Sequence, residues 1–275
     1  VCHGGAIGVE AVFPKVLYRS RQRATATLEI LGLLEGSSII VIVPAFEEQD
    51  HIARVLETMP AFVDMIVVVD DGSRDATTER AACVPHVRTV LVKHEERRGV
   101  GAAIVTGYKE ALALTEPGRK TDAFCIMAGD GQMHPEDLES VALPVVRGEA
   151  DYVKGDRFQF CGVRRAMGWS RWIGGQVFSR LTSLAIGQSI SDSQCGYTAL
   201  SRNAAMSLDL SGLWPSFGYP NDILGQLAAR RFRVREVPVA PIYGSEQSKL
   251  RLRHLPPIFY LIARAAVRRR RGGRA

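Results

Sequence analysis

The stretch SIIVIVPAFEEQDHIARVLETMPAFVDMIVVVDDGSRDAT, residues 38 to 77, decides the fold. Residues 38–44 form a β-branched run, and Ile66 to Val69 form another. A strand that is apolar on both sides is one covered on both faces, as in a parallel sheet. Between the two runs Ile52, Val55, Leu56 and Met59 recur at helical spacing, and Asp50 is the expected N-cap. Gly72 then marks a turn, with Ser73 or Asp75 expected to open a second helix. The order strand, helix, strand, helix is the start of an alternating α/β chain.

The alternation continues outward. RTVLV (88–92) reads as a third strand, GAAIVTGYKEALAL (101–114) as a helix and AFCIMA (123–128) as a fourth strand, joined by right-handed crossovers in a largely parallel sheet. Ligands of such sheets sit beyond the carboxyl ends of the strands. Those ends are residues 44–48, 70–73, 94–101 and 129–132, and most carry acids. In the last, IMAGDGQMHPED (126–137), a single carboxylate, Asp130, lies between Gly129 and Gly131, and a helix is expected from Pro135. After Glu149 the pattern changes. DYVKGDRF (151–158) reads as a short strand and loop, residues 169–187 as a helix, and ISDSQCGYTALSR (190–202) as a polar loop. A helix near 220–231 and an alternating strand over 232–239 follow. This second half is expected to cover the open side of the sheet and to supply a second substrate's pocket.

At 275 residues and 46% hydrophobic content the chain can bury a large core, which excludes disorder for its bulk. Five scattered cysteines with no CxxC pair fit a reducing, cytoplasmic setting. The net charge of +6 is unevenly placed: from Lys249 to Ala275 every charged side chain is basic. There the apolar run from Leu255 to Val267, broken by Arg264, is shorter than the roughly 20 residues that span a bilayer. It is expected to lie at the membrane face as an amphipathic helix with its arginines at anionic headgroups; the competing reading is a last helix packed on the domain. The expected organisation is an extension over 1–37 with a helix around Ala24 to Leu34, a main domain over 38–250 and a basic segment over 251–275. The first residues lack the basic flank and long apolar run of a secretory signal.

Several constellations carry chemistry. Asp70 and Asp71 can accept hydrogen bonds from a nucleobase or ribose, or serve turn chemistry alone. RRGVGAAIVTG fails as a dinucleotide loop because Ile104 stands at the third glycine position, so Gly99 and Gly101 read as a closely packed helix start. No phosphate-binding GxxxxGK[ST] loop occurs. Arg157, Arg164, Arg165 and Arg171 can grip a phosphate. Cys195 has no accompanying His and reads as structural, and His134 as a local loop partner.

Eight segments in order, IVIVPAFEEQDHI, VVVDDGSRDAT, HEERRGVGAAIVTGYKEAL, MAGDGQMHPEDL, DYVKGDRF, DSQCGYTALSR, YPNDIL and VREVPVAPIYGSEQSKL, resemble the family 2 glycosyltransferases of GT-A fold, nearest the polyprenyl-phosphate sugar synthases of the dolichol-phosphate mannose synthase type. They span residues 39 to 250. The resemblance implies inverting sugar transfer from a GDP-mannose or UDP-glucose type donor to a polyprenyl phosphate or, alternatively, to a hydroxyl of a soluble metabolite or glycan. It implies that Pro44, Ala45, Glu48, Asp70, Asp71 and Gly99 hold the nucleotide sugar with Asp130, that Lys249 closes over the donor, and that Asp130 and Gln132 face Mg²⁺ or Mn²⁺. Arg157 and Arg171 are implied to bind the acceptor phosphate, and Asp192 and Asp222 to approach the reacting sugar, either one serving as base for a neutral acceptor. No nucleic-acid partner is expected. Three departures stand out: Glu47 where the family usually has Asn, Ala128 where it has a first metal-motif Asp, and a long extension without a transmembrane anchor. A sugar nucleotidyltransferase would need a Gly-rich basic loop where PAFEEQD stands, and a non-catalytic nucleotide-sugar binder would follow from loss of chemistry at Ala128.

Overall fold

The computed structural model describes residues 37–84, 88–115, 122–160, 163, 167–242 and 255–272. The helix expected around Ala24 to Leu34, Arg164, Arg165 and Lys249 lie outside the described residues. The described residues all belong to one compact unit.

In chain order the elements are β1 (Ile39–Ala45), α1 (Ile52–Glu57), β2 (Met65–Asp70), α2 (Thr77–Ala82), β3 (Thr89–Lys93), α3 (Val100–Leu114), β4 (Ala123–Ile126), α4 (Leu138–Val146), β5 (Tyr152–Asp156), α5 (Trp169–Ile186), β6 (Thr198–Ser201), α6 (Arg202–Ser207), α7 (Tyr219–Ala229), β7 (Val234–Pro238) and α8 (Leu255–Gly272). The seven strands form one sheet in the order β3-β2-β1-β4-β6-β5-β7. β3, β2, β1 and β4 pair in parallel, β5 pairs in parallel with β7, and β6 alone is reversed, antiparallel to both β4 and β5. The expected largely parallel α/β sheet is the observed one.

Both β-branched runs lie where their composition requires. Every residue of β1 is buried, as are Ile66 to Val69 of β2, because helices cover both faces. α3 crosses β1 so closely that a Cβ on Gly107 would overlap the Ile42 side chain. Ile42, Ile104 and Tyr108 share one core with Leu224 and Leu227 of α7 and Ile258 and Ile262 of α8.

Four local expectations change. α1 begins at Ile52 with His51 at its N-cap, and Asp50 instead faces Arg80 at 3.5 Å. α2 begins at Thr77 after Ala76; Asp75 accepts from the Thr77 backbone N–H at 3.1 Å, and Ser73 Oγ accepts from the Glu47 N–H at 2.9 Å. Pro135 opens a single 3₁₀ turn, Pro135–Asp137, ahead of α4. Within the segment read as a polar loop, Thr198–Ser201 is strand β6 in the middle of the sheet, with Ala199 and Leu200 fully buried.

The C-terminal apolar run packs inward. Ile258, Leu261, Ile262 and Ala265 are buried against the domain, so one side of α8 packs as the second reading expected, while Phe259, Tyr260 and Val267 on the same helix are exposed. No helix among the described residues is long and apolar enough to cross a bilayer.

Candidate active site

The carboxyl ends of β1 and β2 lie side by side, Ala45 pairing with Asp70 and the Asp71 N–H donating to the Ala45 carbonyl at 2.8 Å. Here the chain turns sharply at Gly72. Asp70 is fully buried: it accepts from the Ser73 N–H at 2.8 Å and from the Thr78 hydroxyl, and Lys93 Nζ lies 3.8 Å away. Asp71 is also buried. Its Oδ1 meets His94 Nδ1 at 2.8 Å and the Arg98 N–H at 2.9 Å, while Oδ2 accepts from the Gly99 N–H at 2.8 Å. Both carboxylates are engaged by internal donors that fold the rim at the ends of β1 and β2. His94 bridges on to Thr106 of α3 through Nε2 at 2.9 Å. Its part was invisible in the sequence, where no spacing ties position 94 to 71.

Glu48 is buried at the same rim, and its N–H donates to Thr77 Oγ1 at 2.9 Å. Glu47 beside it has φ 54°, in the left-handed region that Asn tolerates better than Glu does. That explains physically why an Asn in this position suits the family pattern and why Glu47 is a strained departure from it. Gly99 has φ 101°, and a Cβ there would come within 2.5 Å of the Pro215 carbonyl oxygen. The Ala102 N–H donates to that same oxygen at 3.1 Å, so the turn before α3 is tied to residues 214–215. The closely packed helix start read from the sequence is what the structure contains.

Asp130 follows β4. Its Oδ1 accepts from the Gln132 N–H at 3.1 Å. The Gly129 N–H donates to the Pro44 carbonyl at 3.0 Å, which sets this loop against the end of β1, and the Ile242 N–H donates to Gln132 O at 3.0 Å. Asp130 and Gln132 share a cavity of about 550 Å³ with His51, Arg54, Thr58 and His134. His134 is the local partner expected, accepting from the Glu136 N–H at 3.4 Å. Among the described residues no group of three or more His, Cys, Asp or Glu side chains could hold a metal. One carboxylate and one amide oxygen nevertheless suit a hard cation that draws its other ligands from phosphate and water.

The other half of the site is built on ion pairs. Arg157, just past β5, is gripped by Asp192 through Nε–H to Oδ2 at 2.7 Å and Nη2–H to Oδ1 at 3.0 Å. Asp192 is fully buried and also accepts from the Cys195 N–H at 3.1 Å. Burial pushes its carboxyl up, but the Arg157 guanidinium and the Lys154 ammonium outweigh burial and hold it below the usual carboxylate range. Lys154, itself fully buried with its ammonium disfavoured by desolvation, donates to the Cys195 carbonyl. Cys195 is a buried, free thiol raised by burial, in keeping with a structural part. Asp222, in the first turn of α7, is buried between Arg268 and Arg264 of α8 and accepts from the Trp214 N–H at 3.0 Å. Asp192 and Asp222, the two carboxylates expected to approach the reacting sugar, are thus each paired with arginine. Arg171 sits in the first turn of α5.

Comparison with known proteins identifies the family and the fold. Residues 40–208 match the family described as Glycosyl transferase family 2. The chain is 27% identical over 220 residues to the UDP-N-acetylglucosamine–dolichyl-phosphate N-acetylglucosaminyltransferase of Methanococcus voltae, covering 74% of this chain and 86% of that one. It is 29% identical over 209 residues to the polyprenol monophosphomannose synthase of Mycolicibacterium smegmatis, covering 73% and 76%. In fold it is similar to glucosyl-3-phosphoglycerate synthase of Mycobacterium tuberculosis, crystallised with Mn²⁺, UDP and phosphoglyceric acid, with a TM-score of 0.63 at 21% identity over 88% of this chain and 81% of that one.

Proposed function

The chain belongs to glycosyltransferase family 2, and from that premise we propose that it transfers a sugar, with inversion, from a nucleotide-diphosphate sugar to a polyprenyl phosphate with the help of a divalent cation. The named relatives act on dolichyl phosphate or make a polyprenol monophosphate sugar, which supports this acceptor.

The observation that carries the acceptor is the state of Asp192 and Asp222. A hydroxyl acceptor must lose a proton as it attacks, and a carboxylate has to take it. The two carboxylates expected from the resemblance to serve there are buried and paired with arginines. A phosphate oxygen is already anionic and needs no base. It attacks the anomeric carbon from the face opposite the nucleotide; the new carbon–oxygen bond forms as the bond to the diphosphate breaks, and the electron pair leaves with the diphosphate. Arg157, its fork held at two points by Asp192, offers a guanidinium whose orientation is fixed before the acceptor phosphate arrives. The rim built by Asp70, Asp71 and the turn at Gly99 supports the nucleoside, next to Pro44, Ala45 and Glu48. Asp130 and Gln132 would hold Mg²⁺ or Mn²⁺, which when bound offsets the charge of the departing diphosphate as a Lewis acid.

The test supplies labelled GDP-, UDP- and dTDP-sugars, Mn²⁺ or Mg²⁺, detergent-dispersed polyprenyl phosphate and a soluble phosphorylated acceptor together. Label entering the organic phase as an acid-labile product of inverted anomeric configuration is the expected result. Label confined to a soluble phosphorylated acceptor would overturn the lipid assignment, and nucleotide binding without any turnover would overturn transfer itself.

A further inference from the structure

α5 wears apolar side chains on its outside. Trp169, Ile173, Val177 and Leu184 recur at four- and seven-residue steps, so they fall along one side of the helix, and they are 58%, 39%, 46% and 75% exposed. The opposite side packs inward through Phe178, Thr182 and Ala185. The sequence had pointed to α8 for membrane contact; α8 buries Ile258, Leu261 and Ile262 and leaves Phe259, Tyr260 and Val267 exposed. We infer that the outward face of α5, flanked by the arginines of α8, is the surface that docks this enzyme on an anionic lipid bilayer.

Charge selects that occupant. α5 and α8 run side by side in one direction, with Phe178, midway along α5, against Phe259 near the start of α8, and Gly187, just past the end of α5, against Arg269 near the end of α8. Neither helix contains an Asp or Glu, while α5 carries Arg180 among its exposed apolar residues and α8 ends in Arg268 to Arg271. An apolar stripe bordered by basic residues matches acyl chains beneath anionic headgroups. Trp169, stacked on Trp172 at 5.9 Å, and the exposed Tyr260 are the side-chain types that favour the headgroup level. A second copy of the chain is a poorer occupant, because an isologous contact would bring the same arginines face to face.

The position also serves the chemistry. Gly175, on the inner side of α5, abuts the ring of Phe158, the residue after Arg157. A bilayer under the outer side would thus lie about one helix diameter, roughly 10 Å, from the residue proposed to take the acceptor phosphate. The inference deepens the lipid-acceptor reading and rests on it for its purpose, while its test is independent.

The full chain is floated with phosphatidylcholine vesicles with and without phosphatidylglycerol, neither containing polyprenyl phosphate. Binding to the anionic vesicles is expected, with Leu184→Glu and Val177→Glu each lowering the bound-to-free ratio roughly tenfold. The milder Leu184→Ser, with nucleotide affinity as a check on folding, guards against a variant that merely misfolds; it is expected to lower binding less than Leu184→Glu does. Absence of binding to either vesicle, or variants that bind as the parent does, would overturn the surface. So would a dimer in sedimentation that Leu184→Glu splits without any vesicle binding, which would assign the stripe to a second copy. Vesicle binding with no transfer to polyprenyl phosphate removes the acceptor reading and leaves the surface standing; transfer in detergent without vesicle binding does the reverse.

Discussion

Asp71 and Asp192 are both buried carboxylates just beyond strand ends, and they are satisfied in different ways. Asp71 collects two backbone N–H groups and one imidazole. Asp192 also accepts from backbone N–H groups, those of Arg157 and Cys195 among them, but adds two bonds from one guanidinium, with a buried lysine nearby. The first arrangement uses a charge to fold a loop; the second uses a charge to hold another charge still. A rim for a nucleoside needs shape, which backbone donors provide. A grip on a phosphate needs a cation whose orientation is fixed, and a buried carboxylate behind it provides that.

The contrast can be broken or sharpened by substitution. Arg157→Met should have the largest effect, because it leaves Asp192 buried without its principal partner. A loss of about 3–5 kcal/mol is expected by urea denaturation, and a loss below about 1 kcal/mol would show that Asp192 does not depend on the guanidinium. The same pair sets an acid limit. Because the Asp192 carboxyl is held below its usual range in the fold, its contribution to stability is complete above the ordinary carboxylate pKa of about 4 and disappears as pH falls through its lowered value. Asp192→Asn should flatten that part of the stability–pH curve.

Asp130 belongs to neither pattern: its Oδ1 accepts from the backbone N–H of Gln132, and no arginine or imidazole grips it among the described residues. Asp130→Asn should leave stability nearly unchanged and lower turnover about 10²- to 10³-fold if it helps to stabilise the departing diphosphate; full activity would remove it from the site. Metal binding to the free protein should be weak and should tighten with a nucleoside diphosphate, which isothermal titration with Mn²⁺ can read. Asp71→Asn should cost about 1–3 kcal/mol, because an amide cannot accept at both of its ends and one N–H is left facing an NH₂. A raised KM for the donor and faster exchange of the Gly99 amide would mark the loosened rim. The smallest effect runs the other way: Glu47→Asn should stabilise by about 1 kcal/mol by relieving the left-handed backbone at that residue, seen as a higher urea midpoint at unchanged slope.

The sequence made the first half of the sheet readable because its information is local. β-branched runs and a helical period stand next to each other between residues 38 and 77, and glycine marks the turns. β6 escaped because Thr198–Ser201 is only four residues long, follows a Gly and several polar residues, and owes its strand conformation to neighbours on both sides. The pairings of Asp192 with Arg157 and of Asp222 with Arg268 join residues from different elements, and no spacing rule connects them. The period of α5 indicated a helix, yet apolar residues lie on both of its sides, so the sequence alone did not distinguish the inner side from the outer.

The reversed strand has a further consequence for synthesis. β4 pairs with β1 on one side and needs β6 on the other, Ala123 meeting Ser201 across the sheet. A chain emerging from the ribosome would complete β1 to β4 well before Ser201 appears, and at ordinary elongation rates the apolar edge Ala123–Ile126 would stay bare for several seconds. An open edge of that kind recruits strands from other chains. Yield in cells should therefore respond to chaperone supply during translation more than the stability of the finished protein would suggest.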